Sequence, residues 1–281
     1  MPNTNRVVII HNHIFKNAGT TIDGALAREL GPAFIDHRDD EGMMQGARYL
    51  GRYLLENADI SALSTHHLFL PLPEIPGMRL LLITMFRHPL ERVTSVYAFE
   101  RLQVSSQNPG PAKARESNLR EYVTWRLDPL VNPTIRNFHV LKCLPLRYGK
   151  PDMPDADDET QALNFARAID MLGLVERFDE SMVLFEETLR AHLPGIDLSY
   201  IPLNVGQSAE ESCAERLLRL RETLGEAVFN RLETTNAPDL RLHAAAVEEF
   251  EQRFAALPQA DARLEEFRAR CKRRQNNEIK G

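Results

Sequence analysis

Short apolar runs alternate with amphipathic stretches between residues 6 and 206 of this chain. Two of the runs, Val7 to Ile10 and Leu80 to Phe86, are almost wholly apolar, which is typical of strands buried on both faces of a parallel sheet. Shorter runs near Ala33 to Ile35, at Ile60 to Ser64 and at Gly173 to Val175 predict three further strands.

Apolar residues between these runs recur at helical spacing. The stretch from Ile22 to Leu30 presents one apolar face, and the Gly31-Pro32 pair that follows ends the predicted helix. A second helix is expected from Pro89, because proline fits the first helical turn. The pattern predicts further helices over residues 161–171, 182–192 and most of 208–281, and a surface loop over the breaker-rich residues 103–118.

Strands that alternate with helices predict an α/β fold in three layers, with helices on both faces of a central, mainly parallel sheet. We expect a single domain over residues 1–281. Its core is predicted at about residues 6–206, and a helical C-terminal extension at about 208–281.

Composition narrows the function classes. The 281 residues are 43% hydrophobic and 26% charged, which is ordinary for a globular protein, and the formal net charge of −6 argues against a protein that coats nucleic acid. The apolar runs are too short for a membrane span or a signal peptide. The three cysteines are far apart, which argues against a zinc site or a disulfide framework and predicts a cytoplasmic location.

The segment HIFKNAGTT lies between the first predicted strand and its helix. It brings Lys16 and backbone N–H groups to a helix N-terminus, where an anion is favoured. This strand–loop–helix predicts a P-loop NTPase-like fold. In a Walker A loop, however, a glycine immediately precedes the lysine, whereas here Lys16 precedes Gly19. The alternative interpretation is an ordinary loop with a capping threonine.

A second candidate anion site follows the most apolar strand. Arg87 comes directly after this strand, at the edge where parallel sheets bind ligands, and Ser95 follows eight residues later on the next helix. An arginine can bind phosphate in a fork, and a serine hydroxyl can complete the site. The alternative is that Arg87 caps the helix or pairs with Glu91.

Together, HIFKNAGTT and FRHPLERVTSVY resemble the sulfotransferases that use 3′-phosphoadenosine 5′-phosphosulfate (PAPS), especially the carbohydrate type related to heparan and chondroitin O-sulfotransferases. Weaker likenesses follow in order at residues 132–138, 171–189 and 203–205, so the resemblance covers roughly residues 6–206. One departure is Phe15, where the family usually has proline.

The resemblance implies a set of binding residues for the donor. The first loop would bind the 5′-phosphosulfate through Lys16, Asn17, Ala18, Gly19, Thr20 and Thr21. Arg87 and Ser95 would bind the 3′-phosphate, and Asn204 lies in a segment that closes over the nucleotide. Asn132 and Arg136 are weaker candidates for acceptor binding.

The segment STHHLFLP carries the candidate base. Related sulfotransferases use a histidine in this part of the chain, in a pattern such as GHxxF, to deprotonate the acceptor hydroxyl; both His66 and His67 fit. Adjacent strand residues point to opposite faces, so only one of them can face the cleft, and His66 is slightly favoured. His13 is expected to pack and to orient the loop. A metal cluster of histidines that includes His11 is not expected, because no carboxylate accompanies it at ligand spacing.

The sequence therefore predicts transfer of a sulfuryl group from PAPS to a hydroxyl of a carbohydrate or small molecule, with release of adenosine 3′,5′-bisphosphate (PAP) and without a metal ion. A histidine would act as the base, and Lys16 would stabilise the leaving phosphate. The alternatives are a P-loop kinase or NTPase and a catalytically silent glycan-binding relative. The kinase is disfavoured by the loop order and by Arg87, where a carboxylate would be expected. The acceptor, the oligomeric state and the role of the basic C-terminal tail stay open.

Overall fold

The computed structural model describes residues 6–104, 108–145, 153–201 and 211–278. Five strands form one sheet in the order β2-β3-β1-β4-β5, and every pairing is parallel. This confirms the predicted α/β class with a parallel sheet. The strands are β1 (Arg6–Asn12), β2 (Phe34–Asp36), β3 (Ala62–Thr65), β4 (Met78–Phe86) and β5 (Met171–Leu174).

The two longest apolar runs form the centre of the sheet. Strand β1 pairs with β3 on one side and with β4 on the other, so that Ile9 is in register with both Ala62 and Leu81. All three of these side chains are fully buried. Because helices cover both faces of a parallel sheet, its central strands need apolar side chains at successive positions, which explains the continuous runs.

Helices account for most of the remaining described residues. They are α1 (Gly19–Leu30), α2 (Asp40–Met43), α3 (Ala47–Glu56), α4 (Pro89–Leu102), α5 (Pro109–Glu116), α6 (Leu119–Arg126), α7 (Phe138–Lys142), α8 (Ala156–Ala168), α9 (Phe178–Arg190), α10 (Cys213–Leu224), α11 (Glu226–Thr235), α12 (Ala237–Ala255) and α13 (Ala260–Glu278). Short 3₁₀ turns span Gly31–Ala33 and Val175–Arg177.

Two local predictions were wrong. The predicted loop over residues 103–118 contains α5, which Asn108 caps by accepting a hydrogen bond from the Gly110 amide (3.1 Å). The predicted helix over residues 161–171 is present as α8, but it begins earlier, because Asp155 forms a capping box with Asp158 at its start, and it ends at Ala168. Met171 instead begins β5.

The C-terminal helices pack against two separate cores. Phe250 of α12 and Phe267 of α13 are buried in the main core around the sheet. Phe229 and Leu232 of α11 belong to a second core, where they pack with residues of α4, α6 and α10. The predicted C-terminal region is therefore helical, as expected, and it contributes to both cores.

The basic end of the chain is paired within the described part of α13. Arg270 lies 2.7 Å from Glu186, and Arg268 lies 2.9 Å from Asp179, both acids being on α9. These ion pairs hold α13 on α9 and neutralise part of its charge. Within the described ranges, no helix is both long enough and apolar enough to cross a membrane.

A buried charge network fixes α4 in the second core. Glu100 accepts hydrogen bonds from the guanidinium of Arg126 (2.5 Å) and from the hydroxyl of Tyr122 (2.6 Å). The side chains of Glu100 and Arg126 are only 7% and 1% exposed. Removing one partner leaves the other charge buried and uncompensated.

We expect Glu100→Ala to lower the free energy of unfolding by about 3–5 kcal/mol, since Arg126 would stay buried without its acid. Urea unfolding measures this change. Glu226→Ala is the matched control, because it breaks an exposed ion pair with Arg221 and should cost less than about 1 kcal/mol. Equal losses from the two variants would contradict the buried role of Glu100.

Candidate functional site

The loop between β1 and α1 lies at the carboxyl edge of the sheet, where β1 ends at Asn12. Lys16 (φ 65°) and Ala18 (φ 59°) both adopt left-handed backbone conformations that non-glycine residues rarely adopt. Strained backbone of this kind collects at binding sites, where it turns successive N–H groups toward a ligand. Helix geometry also leaves the amides of Gly19 and Thr20 without an intrahelical acceptor.

Gly19 allows the loop to approach His13. A Cβ atom at this position would lie 2.2 Å from Cδ2 of the His13 ring. Gly19 is therefore required by close packing at the first residue of α1.

The Asn17 side chain binds the loop to the end of β4. Its buried amide nitrogen donates to the carbonyl of Met85 (2.7 Å) and lies 2.9 Å from Nε2 of His139. The Asn17 side chain is thus used to hold the loop on β4, and it does not line the cleft described next.

A cleft of about 360 Å³ opens above this loop. It brings together most of the residues that the sequence singled out, from three separate segments of the chain. Its lining consists of His13, Phe15, Lys16, Ala18, Gly19, Thr20, Thr21, Arg38, His66, Arg87, Ser95, Phe99 and Val175.

Two cations lie close together in the cleft. A guanidinium nitrogen of Arg87 donates to the carbonyl oxygen of Lys16 (3.3 Å), and Nζ of Lys16 lies 4.5 Å from the centre of the Phe99 ring. Burial, together with the charge of Arg87, lowers the pKa of Lys16 from its ordinary value. Ser95 follows in the second turn of α4. An anion bound here would relieve the repulsion between the two cations.

Glu91 holds Arg87 in place. Its carboxylate lies 3.0 Å from Arg87 and accepts a second hydrogen bond, of 3.1 Å, from Arg216 on α10. The pairing with Glu91 that the sequence left open is therefore present. The Nε atom of Arg87 is buried and has no hydrogen-bond partner among the described residues, so this donor is unsatisfied.

A hydrogen bond from one ring nitrogen to the backbone fixes the orientation of the His66 ring. Its Nδ1 atom lies 2.8 Å from the carbonyl oxygen of His13, which accepts only, so Nδ1 carries the proton and Nε2 of the neutral ring is an acceptor. Burial and the neighbouring His13 lower the pKa of His66 to about 4. Lys142 donates to the backbone carbonyl of His66 (2.8 Å) and fixes this segment.

His67 has different surroundings. Its side chain is 43% exposed, and its Nε2 atom lies 3.3 Å from the carboxylate of Asp40. It does not line the cleft, whereas His66 does. The geometry therefore favours His66 as the group that could accept a proton from a ligand in the cleft.

The two predicted acceptor-binding residues lie away from the cleft. Asn132 is exposed, and Arg136 is buried and donates to the carbonyl of Val131; neither residue lines the cleft. Asn204 lies outside the described residues. Arg38 and Phe99 do line the cleft, and the sequence analysis did not identify them because they belong to no motif.

A carboxylate does accompany the first two histidines, contrary to the sequence-based expectation. The oxygens of Asp23 lie 2.7 Å from Nδ1 of His11 and 2.8 Å from Nδ1 of His13. Two histidines and one carboxylate could hold a metal ion, and their ligand atoms lie within 4.8 Å of one another. The separations of 2.7 and 2.8 Å, however, are hydrogen-bond lengths, so in this structure the three side chains bind one another. The H-x-H spacing, which puts His11 near the end of β1 and His13 just beyond it with their rings stacked, was the available signal.

The protein thus has an α/β, nucleotide-binding-like fold with a cleft at its first strand–loop–helix. No protein-family model matches the chain. An uncharacterized protein from Archaeoglobus fulgidus is 31% identical over 255 residues, which cover 89% of this chain and the whole of that relative. The chain therefore belongs to the same family as this archaeal protein.

We expect the imidazole of His66 to titrate near pH 4 in nuclear magnetic resonance spectra assigned with His66→Gln, because burial disfavours its charged form. Its pKa is lower in the folded than in the unfolded chain, where it is about 6.5. Its contribution to stability is therefore present above pH 6.5 and is lost as the pH falls toward 4. A midpoint at or above 6.5 would contradict this environment.

Proposed function

We propose that this protein is a sulfotransferase that moves a sulfuryl group from PAPS to a hydroxyl of a carbohydrate or small-molecule acceptor. The observation that carries the proposal is the convergence of Lys16, Arg87, Ser95 and His66 on one cleft. These residues come from three distant segments, and each matches a position for which the family resemblance implies a role.

Two anion-binding positions suit a donor with two anionic groups. Lys16 and the free amides at the start of α1 suit the 5′-phosphosulfate, because backbone N–H groups at a helix N-terminus favour negative charge. Arg87 and Ser95 suit the 3′-phosphate, since a guanidinium binds phosphate in a fork. ATP lacks a 3′-phosphate, so this second position distinguishes the proposed donor from ATP.

The transfer step uses the chain's own side chains. Nε2 of His66 takes the proton of the acceptor hydroxyl as its oxygen attacks sulfur. The bond between sulfur and the bridging oxygen breaks, and this oxygen leaves with PAP. Lys16 offsets the charge that develops on the leaving phosphate. The low pKa of His66 keeps the ring neutral, as a base must be, at pH 5 to 8.

The cellular setting belongs to the same proposal. Cys143, Cys213 and Cys271 are all unpaired, which fits a reducing compartment, and we propose a cytoplasmic enzyme. The acceptor would be a glycan or a sugar-containing metabolite.

Transfer of labelled sulfate from PAPS to a panel of hydroxyl acceptors tests the proposal. We expect Lys16→Ala to lower kcat by about 10²–10³-fold, because the leaving phosphate loses its cation. Lys272→Ala removes an exposed lysine of α13 and should leave kcat unchanged. Normal turnover by Lys16→Ala would contradict the assigned role.

A second prediction concerns the loop packing. Gly19→Ala would force a methyl group into the His13 ring, so we expect at least about tenfold weaker binding of PAP by calorimetry. Gly24→Ala lies on the same helix and meets nothing within 4 Å, so its affinity should match that of the unmodified protein. Equal affinities for all three proteins would show that the loop is not the binding site.

A further inference from the structure

The carboxylate of Asp23 binds two imidazoles directly behind the loop. One oxygen lies 2.7 Å from Nδ1 of His11, and the other lies 2.8 Å from Nδ1 of His13. The Asp23 side chain is 14% exposed, so the three groups form a largely buried cluster. The sequence-based function gave Asp23 no role.

The two histidines have different positions relative to the cleft. His13 lines it, and His11 does not. The His13 ring lies 4.0 Å from the His66 ring, centre to centre, and the backbone carbonyl of His13 accepts the hydrogen bond from His66. His13 therefore contacts His66 through both its ring and its backbone.

The hydrogen bonds determine which nitrogens carry protons. Burial opposes the ionised form of Asp23, but the hydrogen bonds from His11 and His13 outweigh it and hold the pKa of Asp23 well below its usual range. An ionised carboxylate only accepts hydrogen bonds, so Nδ1 of each histidine is the donor. In the neutral His13 ring, Nε2 is then an acceptor that faces the loop at Gly19.

We propose that Asp23 is a positioning residue for the base His66 and that it acts through His13. Asp23 fixes the orientation and tautomer of the His13 ring, and His13 in turn holds His66 through its ring and its carbonyl oxygen. In a Ser-His-Asp triad, a buried carboxylate likewise holds the catalytic imidazole in the correct orientation and tautomer. The inference rests on the proposed function, because that function makes His66 the base.

The central test is Asp23→Asn in protein with ¹⁵N-labelled histidines. Each Nδ1–H group contacts a different oxygen of Asp23, and in asparagine one of these oxygens is replaced by an NH2 donor, so one histidine would face a donor in place of its acceptor. We expect the unmodified protein to show Nδ1–H tautomers for His11, His13 and His66, and the variant to lose this tautomer at His11 or His13. We also expect kcat for sulfuryl transfer to fall by about tenfold or more, with KM for PAPS changed by less than about twofold.

Asp23→Ala is the second variant, since it removes both acceptor oxygens. Without this acceptor, the neutral His13 ring should no longer be restricted to the Nδ1–H tautomer. We expect kcat to fall at least as far as it does in Asp23→Asn. His11→Gln is the matched control: it keeps a donor near Asp23 and alters a ring that does not line the cleft, so kcat should stay within about twofold.

Three results would overturn the inference. The first is unchanged kcat and an unchanged His13 tautomer in both Asp23 variants. The second is an equal loss of kcat in His11→Gln and Asp23→Asn, which would make the cluster a structural support only. The third is a bound divalent metal ion that Asp23→Asn releases. The tautomers are read without activity, so the two failures are distinguishable: absence of sulfuryl transfer to every acceptor by the unmodified protein would refute the proposed function and the role of His66 as its base, whereas an unchanged His13 tautomer in an active protein would overturn only the role of Asp23.

Discussion

The geometry of the cleft depends on the hydrogen bond from the Asn17 amide to the carbonyl of Met85 (2.7 Å). This bond ties the loop after β1 to the end of β4, two residues before Arg87. It is fully buried, so its loss would leave a polar group without water or a partner. Through it, the loop that carries Lys16 and Ala18 is held against the end of the strand that Arg87 follows, and Arg87 donates to the carbonyl oxygen of Lys16.

The C-terminal helices contribute to this geometry as well. Arg216 of α10 binds the carboxylate of Glu91, which also holds Arg87. Helix α4 carries Glu91 and Ser95 and packs in the second core together with α10 and α11. The C-terminal region thus supports the elements that carry the cleft residues, through the Arg216–Glu91 contact and through the second core.

Much of the fold could be predicted from the sequence, because a buried parallel strand such as Leu80 to Phe86 needs a continuous apolar run. Local capping was less visible: Asn108 starts a helix inside a segment rich in breakers. The loop and Arg87 were found because their residues form motifs. Asp23 was missed because its histidine partners are ten and twelve residues away, and only the packing of α1 on the sheet brings them together. Likewise, only the folded structure shows that His66 lines the cleft and that His67 does not.

Calorimetry of nucleotide binding is the most direct test of the central claim, that the cleft binds a nucleotide through separate 5′ and 3′ anion sites. If Arg87 and Ser95 bind a 3′-phosphate, PAP should bind at least about tenfold more tightly than adenosine 5′-monophosphate or ATP with magnesium, since a charged hydrogen bond contributes about 1.5–3 kcal/mol. A preference for ATP with magnesium would indicate a kinase or NTPase. Either that preference or an absence of nucleotide binding would contradict the account.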